Sequence, residues 1–158
     1  GAIAGVNSRG SQVNALGYQA AQINVGSNVN AFGQSAARLS QGDYVNAIGY
    51  ASAAANQGDF VSAMGQLSAG ANIGNGVIAI GNNTLGVNNG DYNIAIGYQA
   101  ANGKILGDRD ILIGYDAQPA STTQNGQLNI GNTIYGDLVN GEIALGLLEM
   151  PLNCAQLF

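Results

Sequence analysis

The chain repeats itself every sixteen residues, and that period constrains its fold more than any other feature. Val13-Asn14-Ala15-Leu16-Gly17 returns as Val29-Asn30-Ala31-Phe32-Gly33, then as Val45-Asn46-Ala47-Ile48-Gly49 and Val61-Ser62-Ala63-Met64-Gly65. Val77-Ile78-Ala79-Ile80-Gly81 and Asn93-Ile94-Ala95-Ile96-Gly97 continue the series. The motif glycines stand at 1, 17, 33, 49, 65, 81 and 97; the spacing then loosens through Gly114, Gly131 and Gly146. Because Gly1 already sits on the motif position, the repeat is expected to continue upstream, in a longer or processed parent chain. A second series runs through Gly10, Gly26, Gly42, Gly58, Gly74 and Gly90, with Gly107 shifted by one.

Two fixed glycines per unit predict two sharp turns, because glycine reaches positive φ without steric cost. Helices do not fit. Glycine in a helix interior costs about 1 kcal/mol relative to alanine, and each unit would carry at least two. The unit therefore reads as turn, short strand, turn, short strand. In the strand motif, Val and Ala alternate with Asn and a large aliphatic residue, so the two sets face opposite sides of a sheet. Neither side is charged. Both are expected to be buried, one inside the coil and one against another chain. A short periodic unit that cannot bury its own core must stack on copies of itself. The expected architecture is all-β, a solenoid of nine coils roughly 43 Å long at about 4.8 Å per coil. Asn14, Asn30 and Asn46 should form one ladder along it. Asn24, Ser40, Asn56, Asn72 and Asn88 should form another, with stacked amides bonding from coil to coil.

Composition closes off alternatives. The 46% hydrophobic content argues against disorder, and two prolines without a strict Gly triplet exclude collagen. Four basic residues against a net charge of −5 leave no surface to track a phosphate backbone, so nucleic acid is not an expected partner. No apolar run approaches the roughly 18–20 residues of a membrane helix, and nothing resembles a signal peptide, so no membrane insertion is expected. With no histidine there is no Ser-His-Asp set. The lone Cys154 offers neither disulfide nor cysteine metal site. No enzyme activity and no cofactor is expected. An ice-binding solenoid would need a regular threonine array, and Thr occurs only at 84, 122, 123 and 133.

The units Ala47-Ile48-Gly49-Tyr50 and Asn93-Ile94-Ala95-Ile96-Gly97-Tyr98-Gln99-Ala100 resemble the A-I-G repeats of trimeric left-handed parallel β-rolls. That family includes the shafts and tips of bacteriophage tail fibres and the heads of trimeric autotransporter adhesins. Ile111-Leu112-Ile113-Gly114-Tyr115-Asp116-Ala117-Gln118-Pro119 is similar to the stretch that often ends such repeats in tail-fibre proteins, and Leu128-Asn129-Ile130-Gly131-Asn132 to what commonly follows. The resemblance spans about residues 1–146 and implies an intimate homotrimer located on a virion, outside the cell. Such a trimer would bind a host cell-surface receptor, with glycans among the candidates, and other tail proteins. The alternative it implies is an adhesin head on a bacterial outer-membrane surface. The chain divides into a regular roll over 1–106, less regular coils over 107–146, and a C-terminal cap or tail over 147–158.

Candidate sites are few. Asp43, Asp59 and Asp91 follow the second glycine, where stacked carboxylates suit Ca²⁺ and where Asp is also a common turn residue bonding backbone N–H groups. Ser11, Ser27 and Asn75 interrupt the series, so the turn reading is preferred and no metal is expected. Asp108, Arg109, Asp110 and Asp116 cluster where the spacing loosens. With Tyr115 they are the receptor-contact candidates, a small polar patch for a sugar set against a plain solvated turn.

Overall fold

A computed structural model describes residues 3–103 and 106–145. The segment 147–158 with Cys154, and Lys104, lie outside the described residues. Among the described residues there is no helix, and they form twelve short strands. They are β1 (Val13–Leu16), β2 (Val29–Phe32), β3 (Asn46–Ile48), β4 (Ser62–Met64), β5 (Ala71–Asn72), β6 (Ile78–Ile80), β7 (Val87–Asn88), β8 (Ile94–Ile96), β9 (Ile111–Ile113), β10 (Gln127–Ile130), β11 (Ile134–Asp137) and β12 (Glu142–Leu145). The motif strands pair in parallel in the order β1-β2-β3-β4-β6-β8-β9-β10. Each equivalent residue lies beside the next, Ala31 on Ala47 and Ala47 on Ala63. On the opposite side of the coil β5 pairs with β7. The fold is a parallel β-solenoid of sixteen-residue coils.

The core follows from the alternation. Val29, Val45, Val61 and Val77, with Ala31, Ala47, Ala63, Ala79 and Ala95, are fully buried inside the coil. It is a thin core of small side chains, closed on the far side by Ala20, Ala36, Ser52, Ser68 and Thr84. Where the unit lengthens to seventeen residues, the alanine column gives way to the larger Leu112, also fully buried. The outward set behaves in the opposite way: Leu16, Phe32, Ile48 and Met64 are all exposed on this chain.

The glycine pattern divides by cause. The motif glycines Gly17 to Gly114 hold φ between 128° and 136°, as expected of corners. The second series does not take positive φ. Its glycines are required by contact: a Cβ on Gly58 would overlap the carbonyl of Gly74 one coil further on. Elsewhere among the described residues the left-handed region is taken by twenty non-glycine residues, among them Tyr44, Phe60 and Tyr92, and by glycines such as Gly76 and Gly126. Inter-coil hydrogen bonds hold them there. Tyr44 N–H donates to the Ser27 carbonyl and Phe60 N–H to that of Asp43, each at 2.9 Å.

The stack ends earlier than the expected nine coils. Seven parallel steps of about 4.8 Å make it roughly 34 Å tall. After Ile130 the chain reverses: β10, β11 and β12 pair antiparallel. Leu145, which the spacing assigned to a further coil, lies on β12 opposite Ile134. The cause is local. Gly131 and Asn132 have φ of 61° and 53°, and Thr133 N–H donates to the Ile130 carbonyl, which makes a type I′ hairpin turn. Gly131 thus keeps the motif position but abandons the motif conformation.

Candidate functional site

The polar ladders come first, because they decide which polar residues are free. Asn72 Nδ2 donates to Asn56 Oδ1 and Asn88 Nδ2 to Asn72 Oδ1, both at 2.8 Å and buried. Each amide also donates to the glycine carbonyl two residues ahead. On the outside, Asn14 donates to Asn30 and Asn30 to Asn46. The aspartate series is a third ladder. Asp43 N–H donates to Asp59 Oδ1 at 2.7 Å, Asp59 N–H to Asn75 Oδ1 at 2.9 Å, and Asn75 N–H to Asp91 Oδ1 at 2.7 Å. These side chains cap backbone donors of the preceding coil. Among the described residues no group of three His, Cys, Asp or Glu side chains converges.

The five candidate contact residues are not brought into one patch. Asp108 extends the aspartate ladder, accepting from Asp91 N–H and donating its own N–H to Asn125 Oδ1, both at 2.9 Å. Asp110 is fully buried. Its Oδ1 accepts from Gln127 N–H at 2.7 Å and its Oδ2 from Gln127 Nε2 at 3.2 Å. Burial pushes its carboxyl above the usual range, against the opposing pull of those hydrogen bonds. It does not reach the surface of this chain, because its alternating partner Ile111 takes the outward direction. Arg109, at a left-handed corner of φ 61°, is exposed, and no ion pair forms on its guanidinium among the described residues. Tyr115 and Asp116 lie beyond β9, at its other end. The Tyr115 ring stacks on Tyr98 with centroids 5.5 Å apart, and Asp116 Oδ1 accepts from Gln118 Nε2 at 2.6 Å.

Two clefts separate these ends. One of about 410 Å³ is lined by Tyr92, Ile94, Arg109, Ile111, Leu138 and Val139. The other, of about 580 Å³, is lined by Asp116, Gln118, Pro119, Asn129, Asn132 and Tyr135, with Ala120 at its margin. No residue is common to both. Nearby, Asp137 caps the β11–β12 turn; the bond from Asn140 N–H leads the effects that hold its carboxyl below the usual range.

Five contributors were not singled out from the sequence. Tyr44 and Phe60 stack face to face, centroids 4.9 Å apart, and the Tyr92 ring lies against Gly76, one coil before it. Their sixteen-residue spacing is the sequence signal that marks them. Asn132 and Tyr135 enter the larger cleft only because the chain reverses after Ile130. The Gly131-Asn132 pair between apolar runs is the signal that marks that reversal. Comparison with family models, curated proteins and solved structures finds no match to this chain.

Proposed function

We propose that this chain is a structural and host-attachment element of a phage-type tail fibre: a non-catalytic, homotrimeric β-roll that stands outside the cell on a virion and presents a receptor-binding surface. One observation carries the reading. The outward strand face bears no charge and runs in register from Leu16 to Ile130; Leu16, Phe32, Ile48, Met64 and Ile130 are exposed on a single chain, and Ile80, Ile96 and Ile113 between them are half-buried. Contiguous exposed apolar surface of this kind marks an interaction site. A ladder of one repeated motif is matched in length and spacing by the same ladder on a sister chain. The repeat's resemblance to tail-fibre rolls supplies the rest of the reading, including docking to other tail proteins.

The test is attachment. The full chain, fluorescently labelled, should bind whole bacterial cells of a susceptible strain saturably and compete with phage adsorption to them. Failure to bind any strain of a broad panel contradicts the reading.

A further inference from the structure

We propose that the 580 Å³ cleft between the β9–β10 connection and the β10–β11 turn binds a neutral saccharide, an inference that rests on the attachment reading and gives its receptor a chemical class. Its volume lies within the ~300–1,000 Å³ of small-molecule sites. Its frame is rigid. Asn129, 3% exposed, donates through Nδ2 to the Gln118 carbonyl at 2.8 Å and to Asn132 Oδ1 at 2.9 Å, and accepts from Asn132 N–H at 3.0 Å. Asn132 in turn donates to the Tyr115 carbonyl at 3.2 Å. These amides hold the two walls together and have little left to offer a ligand.

The free groups are mainly acceptors, with the Tyr135 hydroxyl able to donate as well. Among the described residues the second carboxylate oxygen of Asp116 takes no partner, and Gln118 Oε1 is a buried acceptor with none. The Tyr135 hydroxyl is likewise uncommitted. Among the described residues no lysine or arginine lines the cleft. A ligand must therefore bring donors and must not bring negative charge. Pro119, Ala120 and the Tyr135 ring give the other half an apolar character. A sugar ring meets both demands, with hydroxyls along its edge and a C–H face that packs on an aromatic ring. The competing cleft at Arg109 is lined by Ile94 and Ile111, on the strand face that sister chains would cover. The Asp116 cleft contains none of the strand-face aliphatics.

The experiment is titration calorimetry of the full chain with maltotriose, lactose and chitotriose as neutral probes and digalacturonate as the acidic control. At least one neutral probe should bind and digalacturonate should not. Asp116→Asn, which preserves shape and the bond from Gln118, and Tyr135→Ala should each weaken binding at least tenfold. Tyr115→Ala, outside the cleft, should leave it unchanged. Unfolding midpoints of the variants confirm that they are folded. Binding of no neutral probe, equal binding of the acidic one, or unaltered affinity in both cleft variants overturns the proposal. Whole-cell adsorption separates it from the attachment reading. Adsorption that survives Asp116→Asn undiminished removes this cleft and leaves attachment standing. Saccharide binding without cell adsorption does the reverse.

Discussion

Ser40 is the flaw in an otherwise continuous interior ladder. In the column of Asn24, Asn56, Asn72 and Asn88 it is one atom too short to bridge its neighbours. Ser40 Oγ and Asn24 Oδ1 are consequently buried without a protein partner. An unmade bond at a buried polar group costs about 1–3 kcal/mol. Ser40→Asn should restore the 2.8 Å geometry seen between Asn56 and Asn72 and stabilise the fold by about 1–2 kcal/mol. Denaturant unfolding reads this directly, and a loss of stability contradicts the ladder's energetic role. Asp110 makes a pH prediction. Burial raises its native carboxyl above the ordinary 3.8, so the folded chain binds that proton more tightly than the unfolded one. The contribution favours folding at low pH and is withdrawn as pH rises from 3.8 through the raised native value. The stability of wild type relative to Asp110→Asn should therefore increase as the pH is lowered from 7 to 4. A difference that stays flat across that range is inconsistent with a buried, titrating carboxyl.

At the scale of the element, the coil was legible in the sequence and its ending was not. Period-two alternation between Val-Ala and Asn-aliphatic positions is a direct image of strand geometry, and every motif strand lies where that alternation puts it. The polar ladders were legible for the same reason, since equivalent residues in stacked coils must be neighbours. The hairpin after Ile130 escaped because Gly131 satisfies the repeat's spacing while adopting a turn's conformation. The candidate patch dissolved because Arg109, at a left-handed corner, is exposed while Asp110 beside it turns into the coil, and Tyr115 and Asp116 lie at the other end of β9. The second glycine series was read as turns when its reason is contact, which gives a clean comparison. Gly58→Ala sets a Cβ against the backbone of the next coil, which cannot move without breaking the ladder. Gly103→Ala meets nothing within 4 Å and pays only for its φ of 65°. The first should cost about 3 kcal/mol or more and the second about 1–2 kcal/mol, measured as shifts in the unfolding midpoint. Equal costs would show that close stacking is not what the second glycine serves.

Across the whole molecule, the decisive feature is an imbalance between the two sides of one sheet. The inner side is sealed by the coil itself, down to side chains of zero exposure. The outer side repeats an apolar residue at each coil from Leu16 onward, exposed at Leu16, Phe32, Ile48, Met64 and Ile130 and half-buried at Ile80, Ile96 and Ile113. A thin core of valine and alanine offers less apolar burial per residue than leucine-rich cores do, so the outer ladder is the reserve from which further stability must come. Closing three such ladders on one another would shield the apolar face. Light-scattering mass measurement of the intact chain at micromolar concentration tests this most directly. The account predicts about three times the 15.9 kDa chain mass. A stable species of a single chain's mass contradicts it.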